Sequence, residues 1–399
     1  MVETMARPDL PQSTPARLTV SVLGTGEEVL ALRDEWADLL LHSSAPNVFL
    51  SWEWMTTWLQ MQGPRVRPHV LLLRRADDET LVGLAPLYRR TARHPFRLRA
   101  VGLMGTGFGA DHMGFLSRES TESEVDTVLL RHLFSGDHWD ILELPRLAEG
   151  FAERAGNLLV EQQANLRSSS AVADICPYIP LPGTWDAYLR TMHQRGELNR
   201  RWRRLQEKGQ AVIHRVRTLK ELEEGWEALL RLHQLRRKAV AKGRSAFVRP
   251  DVQVFHKRFA RLALERGWAR LYLLRLDGRC VAAEYCLHMG KRLFDFQGGF
   301  DMEWSRYWVR SILTAHAIRT AIEEGATEYD LSRGDESYKL QRWGALTRRD
   351  ISLMAWRRRT SVELMLAARD WTRTVRGHLR RRVAGAGSSE GLAEGQGEP

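Results

Sequence analysis

The sequence has 399 residues, of which 43% are hydrophobic and 27% charged, and it carries a net charge of +11. This composition excludes a disordered or fibrous chain, and the length exceeds what one hydrophobic core usually supports, so we expect two domains. No apolar stretch is long enough to cross a bilayer, and "MVETMARPDLPQSTPAR" lacks the apolar centre of a secretory signal, so we expect a cytoplasmic protein or one peripheral to the inner face of the membrane.

The first half of the chain predicts helices, an antiparallel strand pair, one helix and a final strand. In "NVFLSWEWMTTWLQ", Trp52, Trp54 and Trp58 recur at helical spacing, which indicates core packing first and an aromatic platform for a sugar second. "PHVLLLRRADDETLVGLAPLYRR" predicts two strands joined by a turn at Asp77-Asp78. "VDTVLLRHLFSGDHWDILEL" then predicts the helix and the strand.

The second half repeats this order after "PYIPLPGTW", where prolines interrupt both helices and central strands. "ARLYLLRLDGRCVAAEYCLHMGKRLFDF" predicts three strands with turns at Asp277-Gly278 and Gly290-Lys291, and "ILTAHAIRTAIEEGATEYDLSRG" predicts a helix followed by a strand. The sequence thus predicts an α/β (α+β) fold of two related units, residues 17–180 and 181–358. Each unit would have a mixed, largely antiparallel sheet flanked by helices.

The positive charge is concentrated near the end of the chain. From Arg357 to Arg382 there are nine arginines and two acids, and seven of these arginines lie in a helix predicted over residues 359–382. One stripe of that helix is apolar, at Leu364, Ala368, Trp371, Val375 and Leu379. Such a helix fits an anionic membrane surface, and it equally fits packing against the second domain. Residues 1–16 and 383–399 have few large apolar groups and are predicted to be disordered.

This order of elements, with "NVFLSWEWMTTWLQ" near the start and "FQGGFD" and "EYDLSRGDESYKLQRWG" near the end, resembles the double-GNAT acyltransferases of the CelD-like group. These proteins carry a BioF2-like acetyltransferase domain and are related to the FemAB aminoacyltransferases. The resemblance extends from Leu18 to Arg358. It implies two tandem GNAT-like domains and transfer of an acyl group, usually acetyl from acetyl-CoA, onto an amine. Many members act in exopolysaccharide or cell-envelope biosynthesis, where the acceptor would be a free or lipid-linked amino sugar.

The resemblance places a donor site where the third strand of the second meander leads into a helix. Gln297, Gly298 and Gly299 would let a backbone approach the cofactor closely, although the glycines would also serve simply to turn the chain. The family commonly has Pro-Gly at the start of this helix, and this chain has Val309-Arg310. Arg310, together with Arg306, would either grip the diphosphate or block its approach.

The loop "GDESYKLQRWG" lies where α/β folds present reactive groups, at the end of a strand. Lys339 is predicted to stabilise the oxyanion of acyl transfer, and the alternative is a surface lysine paired with Asp335 or Glu336. Asp335 and Glu336 would position the acceptor amine, or form a solvated turn. The same loop adds Tyr338 to the predicted catalytic residues and Trp343 to the predicted acceptor contacts.

Three further features complete the predicted site. Glu284 on "VAAEYCLHMG" would act as the general base, directly or through water, or would be a strand residue facing solvent. The run "QRGELNRRWRRLQEKG" predicts a helix with a basic cluster that would hold the phosphates of an acceptor, or form a solvated face, at Arg200, Arg201, Arg203, Arg204 and Lys208. The three cysteines form no ligand cluster and no activated nucleophile, so no metal is expected.

Three functions follow from the resemblance. The first is an acetyl-CoA-dependent N-acyltransferase acting on an amino sugar or another envelope precursor, with no nucleic-acid partner. The second is a FemAB-like transferase that takes an aminoacyl group from tRNA, for which the basic helices would contact RNA. The third is a catalytically silent double-GNAT scaffold that binds a partner or a membrane surface, and Val309-Arg310 favours it.

Overall fold

A computed structural model describes residues 17–91, 97–192, 194–239, 246–334 and 342–367 of the protein. The first half of the chain combines short helices with nine strands among these residues. In chain order they are β1 (Leu18–Leu23), α1 (Gly26–Ala31), α2 (Arg33–Leu41), α3 (Trp52–Gln60), β2 (Val66–Pro68), β3 (Val70–Arg75), β4 (Leu81–Ala85), β5 (Leu87–Thr91), β6 (Arg99–Leu103), β7 (Leu116–Ser117), α4 (Glu122–Ser135), β8 (Ile141–Ala148), α5 (Glu149–Glu161) and β9 (Leu166–Pro180).

The second half has longer helices and longer strands. They are α6 (Trp185–Thr191), α7 (Arg195–Gln206), β10 (Ala211–Arg215), α8 (Leu219–Ala239), α9 (Pro250–Glu265), β11 (Ala269–Leu276), β12 (Arg279–Met289), β13 (Arg292–Phe300), α10 (Val309–Glu323), β14 (Glu328–Asp330) and β15 (Leu346–Arg357). A further helix, α11, covers 360–367. Turns of 3₁₀ helix lie at Val48–Leu50, Ala246–Val248 and Met302–Tyr307.

The predicted meanders are confirmed in both halves. β3 pairs antiparallel with β4, and β11, β12 and β13 form an antiparallel meander. Asp277 and Gly278 have φ values of 47° and 80°, as a tight hairpin turn requires. The alternation of apolar runs and turn residues was therefore sufficient to predict these local strand pairs.

The two halves share one continuous sheet. Four strands form a small sheet in the order β1-β3-β4-β7, and the other eleven follow the order β10-β11-β12-β13-β14-β9-β15-β8-β6-β5-β2. β15, from the end of the chain, lies between β8 and β9 of the first half and pairs antiparallel with both. Strand pairing continues across residue 180, so the sheet itself does not divide there. The division of the chain into two units at this residue stays a prediction.

The hydrophobic core also crosses between the halves. Trp54 of α3 is fully buried and packs edge-on against Phe255 and Phe259 of α9. Trp58 is buried as well, while Trp52 is partly buried and donates its indole N–H to the carbonyl of Val29. These contacts agree with the core-packing interpretation of the tryptophans. The cysteines are all buried and free, as expected.

Helix α11 packs through one side only. Val362, with Met365 and Leu366, contacts Leu98 and Ile141, whereas Leu364 on another side of the helix is 57% exposed. The rest of the predicted helix, from residue 368, lies outside the described residues. Within the ranges given above, no helix has the length and apolar character needed to cross a membrane.

Candidate functional site

A V-shaped opening forms where β13 and β14 part. The two strands pair in parallel only from Arg292 and Glu328 to Phe294 and Asp330. β13 then continues along β12, while the chain after Asp330 follows β9, to which Leu331 and Gly334 donate their amides. We call residues 295–300 the β13 arm and residues 331–334 the β14 arm of this opening. At its base the hydroxyl of Ser332 donates to the carbonyl of Asp295 over 2.9 Å.

A β-bulge shapes the β13 arm. Tyr285 of β12 is paired with Gln297 and the next residue, Cys286, with Asp295, so Phe296 has no partner on β12. The Phe296 ring packs 4.3 Å from the ring of His256. Bulges bend a strand and re-aim its groups, and they are frequent beside active sites. No pattern in the sequence predicted this bulge.

Basic and aromatic groups surround the start of α10. The first amides of any helix have no intrahelical acceptor. Here the N-cap residue, Trp308, has a left-handed backbone (φ 57°) and its side chain makes no capping hydrogen bond to them. The guanidinium carbons of Arg201 and Arg342 lie 5.3 and 4.1 Å from the centre of the Trp308 ring. Arg342 also contacts the hydroxyl of Ser311. Helix dipole and guanidinium groups together favour an anion here.

Arg342 was not predicted from the sequence, and Arg201 is the member of the predicted basic run on α7 that lies here. Arg200 is exposed and pairs with Glu197, and Arg204 is exposed. Arg201, one position further along, pairs with Glu197 at 2.5 Å and donates to the carbonyl of Arg306 over 2.6 Å. The side chain of Arg306 lies over the Tyr307 ring, 5.0 Å from its centre. The helical phase of α7 therefore brings Arg201 to the start of α10 and leaves Arg200 and Arg204 in solvent.

Arg310 belongs to the first turn of α10, but its side chain turns to the sheet. Its Nη2 atom donates to both oxygens of Asp295 at 2.8 Å, and its Nη1 atom pairs with Glu284. A Cβ atom added to Gly298 would lie 2.5 Å from the Arg310 Nε atom. Arg310 thus fills the space beside Gly298 and pairs with two carboxylates. Its guanidinium, which was predicted either to bind a diphosphate or to block it, is therefore bonded to protein groups.

Glu284 is completely buried beneath Arg310. It accepts hydrogen bonds from the hydroxyls of Tyr329 at 2.8 Å and Thr314 at 3.2 Å. Burial outweighs the opposing effect of Arg310 and raises the pKa of Glu284 to about 7. Glu284 therefore does not face solvent, and it can exchange a proton near neutral pH.

The other predicted cofactor residues contact protein groups. Gln297 accepts the amide of Gly298 through its own side chain over 3.0 Å. A Cβ atom on Gly299 would lie 2.3 Å from the backbone nitrogen of His233 in α8. The two glycines do allow a close approach, as predicted. The groups that approach them are the Arg310 side chain at Gly298 and the backbone of α8 at Gly299.

The loop that carries most of the predicted catalytic residues is largely outside the described residues. Lys339, Asp335, Glu336 and Tyr338 all lie there, so their roles remain predictions. Trp343, just after the gap, is buried in the core of the second half. An acceptor contact by the Trp343 ring stays a prediction, and in this structure the ring contributes to packing.

A charged network joins the two halves beside the β14 arm. The buried ring of His112, from the first half, bonds to Asp330 at 2.9 Å through Nε2 and to Asp350 at 2.6 Å through Nδ1. Burial alone would lower the pKa of His112, but the two carboxylates raise it to about 9. Neighbouring Asp111 is buried, which raises its pKa to about 6, and it pairs with Arg333 at 2.7 Å.

Two groups of side chains in the described part of the chain have the spacing of metal ligands. One is His112, Cys176 and Asp350, and the other is Glu284, Cys286 and Asp295. The cationic His112 ring bonds to Asp350 in the first group, and the Arg310 guanidinium pairs with both carboxylates of the second. Burial also raises the pKa of the Cys176 and Cys286 thiols. These positive charges and protonated thiols do not suit a metal ion.

Known proteins support the GNAT interpretation. Residues 192–340 match the acetyltransferase (GNAT) domain family. The fold resembles that of FemX, with 12% identity, a TM-score of 0.59, and coverage of 82% of this chain and 96% of FemX. It also resembles a conserved protein of unknown function from Bacteroides thetaiotaomicron, with 12% identity, a TM-score of 0.54, and coverage of 84% of this chain and 100% of that protein. No curated protein sequence matches the chain.

The fold and the splayed strands thus define a protein built on the GNAT acyltransferase fold. More narrowly, residues 192–340 carry a GNAT acetyltransferase domain, and the fold of the whole chain is similar to that of FemX. This confirms the resemblance and the fold class predicted from the sequence.

Proposed function

We propose that the protein transfers an acyl group, most simply acetyl, from the thioester of coenzyme A to an amine. The observation that carries this proposal is the anion site at the start of α10. It combines an uncapped helix N-terminus with the guanidinium groups of Arg201 and Arg342 on Trp308. It lies directly after the β13 arm, so a diphosphate bound there would direct the pantetheine arm into the V-shaped opening.

Glu284 is our candidate for the proton acceptor. An amine must lose its ammonium proton before its nitrogen bonds to the thioester carbonyl carbon. The C–S bond then breaks, the nitrogen loses a second proton, and the leaving thiolate takes up that second proton to become the thiol. Because the pKa of Glu284 is about 7, this carboxylate is suited to taking up the ammonium proton, and because Glu284 is buried beneath Arg310 that transfer would run through water. For the oxyanion, Lys339 remains our prediction, and the backbone of Phe296, outside the β12 ladder, is a second candidate.

The acceptor we propose is an amino sugar or a related envelope precursor, free or lipid-linked. The support for this acceptor is the resemblance to double-GNAT acyltransferases. A cavity of about 690 Å³ lined by Tyr88, Glu143 and Trp356 is not part of this site. Ser170 at that cavity lies eight residues, about 26 Å, along β9 from Tyr178 beside the opening. Transfer to a panel of amino sugars, followed by thiol release, would identify the acceptor.

A peripheral position on an anionic membrane would suit a lipid-linked acceptor. The exposed side chain of Leu364 begins the apolar stripe predicted over residues 359–382, on a side of α11 that does not pack on the sheet. Seven arginines accompany that stripe. Cosedimentation with phosphatidylglycerol vesicles, and not with phosphatidylcholine vesicles, is expected.

The donor site can be tested by ligand-induced stabilisation. Coenzyme A should raise the melting temperature of the wild-type protein, because a ligand that binds only the folded state stabilises it. Arg201→Gln should weaken this binding by about tenfold, the expected loss of one charge-assisted contact. Arg204→Gln is the matched control, since Arg204 is an exposed arginine on the same helix. It should bind coenzyme A like the wild type.

Three results would contradict the proposal. If Arg201→Gln and Arg204→Gln changed coenzyme A binding equally, the start of α10 would not be the donor site. No stabilisation by coenzyme A, with stabilisation by aminoacyl-tRNA, would support the FemAB-like alternative. No response to either ligand would leave the silent scaffold.

A further inference from the structure

A loop of the first half, residues 104–112, reaches the V-shaped opening of the second half. It contains three glycines with positive φ, namely Gly105 at 76°, Gly107 at 91° and Gly109 at 107°. Glycine adopts such angles without a steric penalty, so the backbone can fold into a compact loop. The loop follows β6 directly.

Ring nitrogens of both halves anchor this loop. Trp54 donates to the carbonyl of Gly105 at 2.9 Å, and Trp58 donates to that of Thr106 at 2.8 Å. The buried ring of His256, from α9, bonds to the carbonyl of Phe108 at 2.7 Å. These three hydrogen bonds, to residues 105, 106 and 108, fix the position of this part of the loop and so of the start of the four residues that follow.

The end of the loop contacts the β13 arm. A Cβ atom added to Gly109 would lie 2.5 Å from Cζ of Phe296, the bulged residue of that arm. The Phe296 ring therefore rests on the bare backbone of Gly109, and any side chain there would push the ring away. Because Phe296 has no partner on β12, its position depends on this contact more than that of a paired residue would.

The next residues contact the β14 arm. Arg333 donates to the carbonyl of Ala110 at 3.1 Å and pairs with Asp111 at 2.7 Å. His112 holds Asp330, the residue from which this arm starts, at 2.9 Å. Four consecutive residues of one loop thus touch both arms, which belong to strands separated in sequence by a whole helix.

We propose that residues 109–112 act as a wedge that fixes the separation of the two arms. Gly109 and Asp111 are then positioning residues for the donor cleft, although they belong to the half that does not contain the cleft. The part of this inference that concerns the donor rests on the proposed function. The part that concerns the arms does not, because it follows from the contacts alone.

The first test compares two glycines of the same loop. Gly109→Ala introduces a methyl group against Phe296, whereas Gly107→Ala places one where no atom lies within 4 Å. Both residues have positive φ, so both substitutions carry similar backbone strain. We expect Gly109→Ala to speed hydrogen exchange in the β13 arm and to raise the KM for acyl-CoA about tenfold at nearly unchanged kcat. Gly107→Ala should do neither.

The second test examines the β14 arm. It can be made even if Gly109→Ala fails to fold. Asp111→Asn removes the charge paired with Arg333, and it should speed exchange in the β14 arm. Asp126→Asn is its control, because Asp126 is also a buried aspartate paired with an arginine, Arg154, at 2.6 Å. Asp126→Asn should leave exchange in both arms as in the wild type, whatever it does to overall stability.

The outcomes separate the two proposals. Equal exchange in the arms of Gly109→Ala and Gly107→Ala, together with equal exchange for the two aspartate variants, would overturn the wedge. A wild-type protein that binds no coenzyme A would overturn the donor site. The exchange comparison would still decide whether the wedge exists.

Discussion

Arg310 and Glu284 form an ion pair inside the second half, with Glu284 fully buried and Arg310 between it and the V-shaped opening. The pair explains how an arginine fits at a helix start where the resemblance predicts Pro-Gly. Its side chain is drawn to the sheet by two carboxylates, Glu284 and Asp295. The charge of Arg310 opposes the effect of burial on the pKa of Glu284, but burial is the larger effect, so Glu284 carries its charge in this pair only above about pH 7.

The first prediction concerns the pH dependence of stability at Glu284. The native protein keeps a proton on this carboxyl up to about pH 7, while the unfolded chain releases it near the ordinary glutamate pKa of 4.5. Stability from this residue is therefore lost as the pH rises from 4.5 to 7, by about 3 kcal/mol. Glu284→Gln abolishes that loss, so its free energy of unfolding relative to wild type should rise by this amount over the same interval.

Urea unfolding at a series of pH values would measure this difference. Glu323→Gln, an exposed position at the end of α10, is the control and should follow the wild-type profile. A constant difference between Glu284→Gln and wild type would show that Glu284 does not titrate in this interval.

The second prediction has the opposite sign and concerns His112. Its pKa is raised from 6.5 to about 9, so the native state holds a proton that the unfolded chain loses between these values. The stabilisation is complete below pH 6.5 and disappears as the pH rises through 9, a change of about 3 kcal/mol. The advantage of wild type over His112→Asn should shrink by that amount between pH 6.5 and 9.5.

Chemical denaturation at both pH values tests this expectation. His42→Asn, which changes a histidine on the surface, provides the reference. An advantage over His112→Asn that grows with pH would mean that His112 is neutral in the native protein.

The third prediction compares Gly299 with Gly298. Alanine at position 299 would meet the backbone of α8 at 2.3 Å, and backbone cannot move aside without shifting the helix. We expect Gly299→Ala to lower the free energy of unfolding by about 1–3 kcal/mol. Alanine at position 298 meets only the end of the Arg310 side chain, so its cost should be smaller. Equilibrium unfolding in urea would rank the two, and the reverse ranking would refute the assigned contacts.

Much of the local structure could be predicted because it depends on neighbouring residues. The hairpin at Asp277-Gly278 follows from two residues that tolerate positive φ, and its strands follow from adjacent apolar runs. Glu284 was identified as a candidate from its residue type and strand. Its burial, and the arginine that pairs with it, could not be identified, because Arg310 comes from a helix that begins only after β13 has ended.

The donor site shows the same division between local pattern and long-range contact. A basic run on α7 was visible in the sequence, but which arginine faces α10 depends on how the two helices meet. Arg201 does so, and the predicted Arg200 and Arg204 do not. Arg342 reaches Trp308 from beyond β14, through a contact that no local pattern encodes.

The amino-acid sequence by itself determined the two meanders, the helix that follows each of them, and the resemblance to double-GNAT proteins. These depend on periodicity and turn residues, which act over a few positions of the chain. Only the tertiary structure decided that β15 lies between β8 and β9, and that residues 109–112 touch both arms of the opening. Such contacts join residues far apart in sequence, and their free energy depends on burial and charge pairing that exist only once the chain is folded.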